Sequence, residues 1–428
     1  MAYISEISKF LSKEVLLKGW IFNIRSSGSI FFLQFRDGTG TIQVIAAKND
    51  VSKEVFKACE KLSIESSVEI KGKVVKQPKA PTGYELQLSD LKIIQVSPRY
   101  PIGKKSHGTE FLMNHRHLWL RSSRQRAILR IRDAVIWAAR QFFKKEGFVL
   151  TDSPVLTPTA CEGTTTLFET DYFDQPAYLS QSGQLYIEAT AAALGKVYDF
   201  GPTFRAEKSK TRKHLMEFWM LDAECAFVEH EENLKIQENM VSYIVKYVLE
   251  NNKKDLKTLK RETKRLEKIK APFHRKKYEE VIDDLNKKGF KIKFGHDFGA
   301  EEETAISEDV DKPVFVTHWP KNTKPFYMKQ DPENKKLVLN SDLIAPEGYG
   351  EIIGGSQRED DYEILKANME KAKIPIKDYQ WYLDLRKYGT FPHSGFGLGI
   401  ERTIAWICGL DHIRETIPFP RMLNRLRP

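Results

Sequence analysis

The sequence lacks the cysteine pairs and the long apolar runs that would assign it to several common protein classes. Its four cysteines, Cys59, Cys161, Cys225 and Cys408, are scattered without a CxxC pair, so they indicate neither a disulfide framework nor a zinc site. No stretch of about 18 apolar residues occurs, and the start MAYISEISKF has no signal-peptide core. These absences predict a cytoplasmic protein without a membrane span.

Length and charge set broad limits on the architecture and on the partners. The 428 residues suffice for two or three domains with a large core. Lys and Arg exceed Asp and Glu by 68 − 58 = 10, which weakly favours a polyanionic partner. No internal repeat is visible.

The N-terminal quarter reads as about five short strands and one helix. RDGTG at 36–40 is a hairpin turn signal, and VSKEVFKACEKL at 51–62 is typical of a helix. This set predicts a small Greek-key barrel of the OB type over residues 1–100, with an SH3-like module or a sandwich as the open alternative. A connector at 101–123, containing Pro and His, predicts a hinge before a second domain at 124–428.

The remainder mixes strands and helices without regular βαβ alternation. Residues 124–148 carry an apolar stripe at helical spacing, and the strand-like FVLTDSP follows. A further helical region extends over about 230–290, before strands return. This order favours an α+β domain with an antiparallel sheet flanked by helices.

The stretch FRAEKSKTRKHLMEFWMLDAE, 204–224, places a basic loop between two apolar strands. A solvated hairpin tip is the ordinary explanation of such a charge run. Arg205 and Glu207 are expected to share one strand face, with Phe218 on the return strand. A guanidinium, a carboxylate, an aromatic ring and His214 in a basic loop suit a nucleotide triphosphate.

A glycine-rich stretch near the C-terminus, GFGLGIERTIAW at 395–406, favours the same chemistry. Its alternating glycines let another group approach the backbone closely, and Arg402 lies on the first turn of the helix that follows. The stretch does not complete a dinucleotide-binding GxGxxG, and no GxxxxGK[ST] occurs in the chain.

A third stretch, SDLIAPEGYGEIIGGSQRED at 341–360, carries Asp342, Glu351 and Arg358. The glycine pair inside it leaves room for a substrate beside these charges. Carboxylates next to a triphosphate are the hard oxygen ligands that Mg²⁺ prefers. For Glu351 taken alone, a role as an exposed surface residue is an equally good interpretation.

Together these stretches resemble the class II aminoacyl-tRNA synthetases of the aspartate, asparagine and lysine subgroup, and most closely its asparagine-specific members. GFVLTDSP, FRAEKSKTRKHLMEF and GLGIER are similar to the three signature motifs of the class. EGTTTLF, SQSGQLYIEA, KPFYMK and GEIIGGSQRED are similar to the subgroup's amino-acid-site blocks. The resemblance covers essentially the whole chain. It implies an OB-fold anticodon-binding domain, ATP and Mg²⁺, asparagine and tRNA(Asn) as substrates, and a homodimer.

The resemblance implies an ATP site made of Arg205, Glu207, His214, Phe218, Glu351, Gly399 and Arg402. Arg205, Glu351 and Arg402 would be the catalytic residues, acting by position and charge. Arg205 would bind the α-phosphate and the amino-acid carboxylate, while Phe218 would stack on adenine. Glu351 would ligate Mg²⁺, with Asp342 as a second candidate.

The implied amino-acid site comprises Glu162, Ser182, Gln184, Glu188, Arg205, Tyr327 and Arg358. Glu162 would bind the α-ammonium group, and Arg358 would face the side-chain oxygen. Aspartate-specific members keep a lysine where Ile187 stands here, and Glu188 follows. We expect Glu188 to accept a hydrogen bond from the substrate's side-chain NH₂ and to repel a carboxylate. The alternative is that Glu188 lies on a helix surface.

In the N-terminal barrel, Arg25, Phe32, Gln43 and Glu85 match positions that bind the anticodon in this subgroup. Phe32 would stack on a splayed base, and Gln43 would read its edge. The alternative for Phe32 is a core aromatic residue.

Two other functions stay open at this point: an aspartate-activating enzyme, and a non-charging relative that forms amides or only binds tRNA. Ile187 and Glu188 argue against the first. The 1–97 barrel and the retained Arg205, Glu351 and Arg402 argue against the second.

Overall fold

The computed structural model describes residues 2–80, 82–103, 105–161 and 167–428. The chain divides into two units, residues 1–108 and 109–428. The segment expected to be a hinge crosses this division, because short helices at Thr109–Asn114 and Arg116–Trp119 belong to the second unit. Within the described ranges, no helix combines the length and the apolar character that crossing a membrane requires.

The first unit is a barrel. Its elements are a 3₁₀ helix at Ile4–Phe10, then β1 (Glu14–Ser26), β2 (Ile30–Arg36), β3 (Thr41–Ala47), α1 (Lys53–Lys61), β4 (Ser67–Lys76) and β5 (Tyr84–Gln95). The strands close in the order β1-β2-β3-β5-β4. The parallel pairing of β3 with β5 and the antiparallel pairing of β4 with β1 complete the circle. This confirms the predicted small barrel with one interrupting helix.

Strand alternation decides which side chains fill the barrel. On β2, Phe31, Leu33 and Phe35 are buried in the core, whereas Phe32 and Gln34 are half-buried on the outer face. Phe32 is therefore not a core residue, and the alternative interpretation of this aromatic residue is wrong.

Among the residues that the structure describes, the second unit has eleven strands in two sheets. They are β6 (Val149–Leu150), β7 (Leu156–Thr157), β8 (Glu169–Tyr172), β9 (Gln175–Leu179), β10 (Lys196–Phe204), β11 (Glu217–Ala226), β12 (His274–Lys277), β13 (Val314–Thr317), β14 (Asn340–Ala345), β15 (Gly350–Gln357) and β16 (His393–Gly399). The large sheet has the order β12-β13-β14-β15-β16-β11-β10-β6, and the small one β7-β9-β8. Only the two outermost pairs of the large sheet are parallel, so the predicted antiparallel sheet is confirmed.

Helices form much of the rest of this unit, and several of them pack on the large sheet. They are α2 (Thr109–Asn114), α3 (Arg116–Trp119), α4 (Ser123–Lys145), α5 (Gln184–Leu194), α6 (His230–Asn251), α7 (Lys253–Thr258), α8 (Thr263–Leu266), α9 (Tyr278–Lys287), α10 (Ala300–Ser307), α11 (Tyr362–Lys371), α12 (Gln380–Lys387) and α13 (Ile400–Cys408). Single 3₁₀ turns occur at Lys321–Thr323, Ile376–Tyr379 and Ile413–Glu415.

Helix α4 shows how the main core forms. It begins after Ser122, whose side chain accepts a hydrogen bond from the Gln125 N–H. Ile128, Ile131 and Val135 lie on one stripe and are fully buried against α6 and the sheet. The sheet face that packs on α4 and α6 is apolar, which leaves the opposite face for a site.

Candidate active site

A cavity of about 320 Å³ opens on the sheet face opposite the α4–α6 core. The predicted residues that line it are Ser182, Gln184, Arg205, Glu207, His214, Phe218, Tyr327, Asp342, Glu351, Arg358, Gly399 and Arg402. Stretches far apart in the sequence therefore meet in one place. Glu162 lies outside the described residues.

Strand β11 supplies a row of side chains to this cavity. Phe218, Met220 and Asp222 line it, while Trp219 and Leu221 pack into the core on the other side. Phe218 and Trp219 thus point to opposite faces, as the period of two predicts.

The basic hairpin differs from expectation at its first strand. Strand β10 ends at Phe204, so Arg205 and Glu207 lie in the loop and do not share a strand face. The Arg205 N–H still donates to the Met216 carbonyl at 3.0 Å, which extends the pairing by one residue. The Arg205 guanidinium carbon lies 5.4 Å from the centre of the Phe218 ring. Both predicted side chains consequently reach the cavity from a loop rather than from a strand.

The alternating glycines of β16 make room for carboxylates of the neighbouring strand. Gly395 pairs with Glu224, and Gly397 pairs with Asp222. A Cβ at Gly395 would lie 1.9 Å from Glu224 Oε2, and one at Gly397 would lie 2.4 Å from Asp222 Oδ1. The sequence predicted a close approach at these glycines, and the register identifies the approaching groups as acidic side chains.

Arg358 and Glu224 form a buried ion pair at one end of this row. Arg358 Nε and Nη2 donate to the Glu224 carboxylate at 2.9–3.2 Å, and Nη1 donates to Ser356 Oγ at 2.8 Å. Burial raises the pKa of Glu224, and the Arg358 charge opposes that shift. Glu224 was not predicted, although it continues the alternating row of Phe218 and Asp222.

Glu188 does not line the cavity. Its carboxylate accepts hydrogen bonds from Arg386 Nη2 at 2.7 Å and from the Tyr382 hydroxyl at 2.8 Å, and it lies 3.1 Å from His393 Nε2. This placement does not favour the expected hydrogen bond from the substrate to Glu188, because both carboxylate oxygens already have partners in the protein. A helix-surface position is wrong, because the residue is 1% exposed. Glu224, which does not line the cavity either, is the carboxylate that is hydrogen-bonded to Arg358.

Asp342 and Glu351 face the cavity from β14 and β15. Asp342 Oδ2 lies 2.5 Å from Lys324 Nζ. Burial raises the pKa of Asp342 to about 6. The Lys324 charge lowers this pKa, and repulsion from Glu351 raises it further. These oxygen donors suit Mg²⁺, but the described residues contain no group of three or more His, Cys, Asp or Glu that could hold a metal. Further ligands would therefore have to come from water or phosphate.

The loop side of the cavity is rich in positive charge. Arg402 Nη1 donates to the Glu351 carbonyl at 2.8 Å and lies 3.7 Å from the Glu351 carboxylate. Burial lowers the pKa of His214, and the Arg402 and Arg205 charges lower it further. A neutral imidazole among guanidinium groups is the arrangement expected where an anion binds.

The four anticodon residues predicted in the barrel lie on its outer face. Arg25 is paired with Phe32 across β1 and β2, and Gln43 with Glu85 across β3 and β5. Gln43 Nε2 donates to Glu85 Oε2 at 3.3 Å. The arrangement offers a half-buried ring beside hydrogen-bonding groups.

Comparisons with known proteins cover both units. The family of tRNA synthetases class II (D, K and N) matches residues 108–423, and the OB-fold nucleic acid binding domain family matches residues 15–94. The chain is 55% identical over 425 residues to the asparagine–tRNA ligase of Pelotomaculum thermopropionicum and 56% identical over 432 residues to that of Symbiobacterium thermophilum, with 99% of each chain covered.

A solved structure is similar to this chain over its whole length. The asparaginyl-tRNA synthetase of Pyrococcus horikoshii complexed with asparaginyl-adenylate superimposes with a TM-score of 0.97 at 45% identity, over 100% of this chain and 99% of that one. The matched regions include the cavity and the barrel described above. The chain therefore belongs to the class II tRNA synthetases of the D, K and N family.

Proposed function

We propose that the chain is an asparagine–tRNA ligase, which activates asparagine with ATP and transfers it to tRNA(Asn), releasing pyrophosphate and AMP. The observation that carries this proposal is the Arg358–Glu224 pair beside a cavity that also contains Arg205, Phe218 and Arg402. Relatives at 55–56% identity over their whole length carry the same name.

The Arg358–Glu224 pair suits an amide side chain. Arg358 would donate to the amide oxygen, and Glu224 would accept from the amide NH₂. A substrate carboxylate would place a second negative charge against Glu224 in a buried site, which is strongly unfavourable. Gln184 and Tyr327 line the cavity near Arg358 and would complete the pocket.

ATP fits the other end of the cavity. Phe218 would stack on adenine and Glu207 would accept from its amino group, while Arg205, His214 and Arg402 would contact the phosphates. The asparagine carboxylate would attack the α-phosphorus, forming an acyl–phosphate bond as the bond to pyrophosphate breaks. The attacking group is already ionised, so the side chains act by position and charge rather than as a base.

Mg²⁺ would be held by Glu351 and Asp342, and when bound it would neutralise charge on the phosphates. In the second step a ribose hydroxyl of the tRNA 3′ end attacks the activated carbonyl, and AMP leaves. Recognition of the tRNA would include the barrel residues Arg25, Phe32, Gln43 and Glu85, which suit a single-stranded base.

We also propose a homodimer. Strand β6 is the last strand of the large sheet, and both its residues are at least 40% exposed. Leu156 after it and Trp137 on α4 are also large exposed apolar residues, at 42% and 53%. Apolar side chains left uncovered on an edge strand are typical of an interface between chains.

ATP–pyrophosphate exchange with asparagine and aspartate separately tests the proposal, followed by charging of tRNA(Asn). We expect exchange with asparagine and much less with aspartate. Exchange mainly with aspartate would indicate an aspartate enzyme. Exchange with neither would indicate a tRNA-binding relative, and activation without charging would indicate an amide-forming one.

A further inference from the structure

A second layer of charged residues lies behind the Arg358–Glu224 pair. Glu188 is central to it, with its two carboxylate oxygens bound to Arg386 and Tyr382 and facing His393. This layer lies against the Arg358–Glu224 pair, because Arg358 Nε is 3.9 Å from Glu188 Oε1. Every one of these side chains is at least nine-tenths buried, so their charges are poorly screened by solvent.

The charges of the Arg358–Glu224 pair and of the layer behind it balance. Arg358 and Arg386 contribute two positive charges, and Glu188 and Glu224 contribute two negative ones. Other polar groups facing Glu188 are Tyr382 from α12 and Gln184 from its own helix. The cluster is therefore neutral when the remaining titratable group, His393, is neutral.

The ring of His393 lies between two hydrogen-bond acceptors. Its Nδ1 lies 2.9 Å from the Phe391 carbonyl oxygen, and its Nε2 lies 3.1 Å from Glu188 Oε2. Both ring nitrogens face acceptors, so the protonated ring can donate on both sides.

We propose that Glu188 is a positioning residue that determines amide specificity without touching the substrate, by keeping the charge around Arg358 balanced. The inference rests on the proposed function. An uncharged asparagine side chain preserves the balance. Aspartate adds one negative charge to a buried neutral cluster, and it binds only when the cluster gains a proton. The extra proton is taken up within the cluster.

Charge-balanced variants test this inference. Glu188→Gln keeps the shape and leaves one positive charge in excess, so the ratio of kcat/KM for aspartate to that for asparagine should rise by about tenfold or more. Activation of asparagine should fall by less than about tenfold, because no contact to the substrate is lost. The double variant Glu188→Gln with Arg386→Met removes one charge of each sign and should return the ratio towards the wild-type value.

If Glu188 had a purely structural role, the two variants would behave differently. Loss of packing would lower activity with both amino acids together, and the second substitution would lower it again. An unchanged ratio in a folded Glu188→Gln protein, or no recovery in the double variant, would overturn the inference.

The unmodified protein offers a second test that does not depend on folding of a variant. As the pH falls, aspartate activation relative to asparagine should rise by up to tenfold per pH unit, since one proton accompanies aspartate. Parallel pH profiles for the two amino acids would contradict the inference. A wild-type protein that activates neither amino acid would instead refute the proposed function.

Discussion

A buried guanidinium needs a carboxylate close to it, and Arg358 has two at different distances. Glu224 accepts three hydrogen bonds from Arg358, whereas Glu188 remains 3.9 Å away and is bound to Arg386. An unpaired charge at this depth would destabilise the fold by several kcal/mol. In the proposed function, the pairing that stabilises Arg358 in the interior also suits an uncharged group of the substrate.

Glu224→Gln should weaken asparagine recognition. The variant keeps the shape but removes the charged acceptor for the amide NH₂, so kcat/KM for asparagine should fall by the equivalent of about 1.5–3 kcal/mol. Pyrophosphate exchange at varied asparagine concentration measures this. Glu351→Gln is the matched control, because it should change the Mg²⁺ and ATP requirement and leave the asparagine KM nearly unaltered. A kcat/KM for asparagine that is unaffected by Glu224→Gln would exclude Glu224 as the acceptor for the amide NH₂.

Asp342 should give the Mg²⁺ requirement a pH dependence. Burial raises its pKa to about 6, so the carboxylate is ionised at pH 7.5 and takes up a proton as the pH falls through about 6. A protonated carboxyl is a poor ligand, and more Mg²⁺ should then be needed for half-maximal exchange. In Asp342→Asn, the Mg²⁺ concentration needed for half-maximal exchange should be high at every pH and should show no rise near pH 6. A wild-type requirement that stays flat from pH 7.5 to 5.5 would argue against Asp342 as a ligand.

At the scale of elements, the pairing of β11 with β16 forms the end of the cavity that lies beside Arg358. One strand carries Asp222 and Glu224 at alternate positions, and the other carries Gly397 and Gly395 opposite them. Side chains on one strand can occupy this space only because the partner strand has none. Neither strand alone predicts which groups meet.

Phe32→Ala tests the outer face of β2. Losing one base–aromatic stack should weaken tRNA binding by about 1–3 kcal/mol, while amino-acid activation stays unchanged. Phe31→Ala is the neighbouring control: that ring is buried in the barrel core, so its loss should lower the free energy of unfolding by about 3–5 kcal/mol. Charging kinetics and thermal unfolding separate the two effects. If exchange and charging fall together in Phe32→Ala, Phe32 does not contact the anticodon.

At the scale of the whole molecule, the proposed homodimer predicts a specific mass and a specific interface. Sedimentation at micromolar concentration should give a species of twice 49.5 kDa. Leu150→Asp places a charge on the exposed edge strand β6 and should produce an inactive monomer. Tyr388→Asp, at a residue that is 72% exposed after α12, is the control and should remain dimeric. A fully active wild-type monomer would refute the proposal.

Much of the fold followed from local patterns. The helical stripe containing Ile128 and Ile131 and the short strands of the barrel depend only on near neighbours in the chain, and both predictions are confirmed. The strand expected at Arg205 and Glu207 was wrong, because β10 ends at Phe204 where the loop begins. Element boundaries of this kind depend on tertiary pairing rather than on composition.

The sequence by itself determined the barrel, the mixed second unit and most of the residues that line one cavity, since these depend on periodicity and on motifs. Only the tertiary structure decided which partners Glu188 and Glu224 have. Both are acidic residues within reach of Arg358, and no local pattern ranks them. The distinction depends on Arg386, Tyr382 and His393, which lie about 200 residues further along the chain and hold Glu188 away from the cavity. Which charged groups pair with each other depends on their distance in space, and the order of residues along the chain does not give that distance.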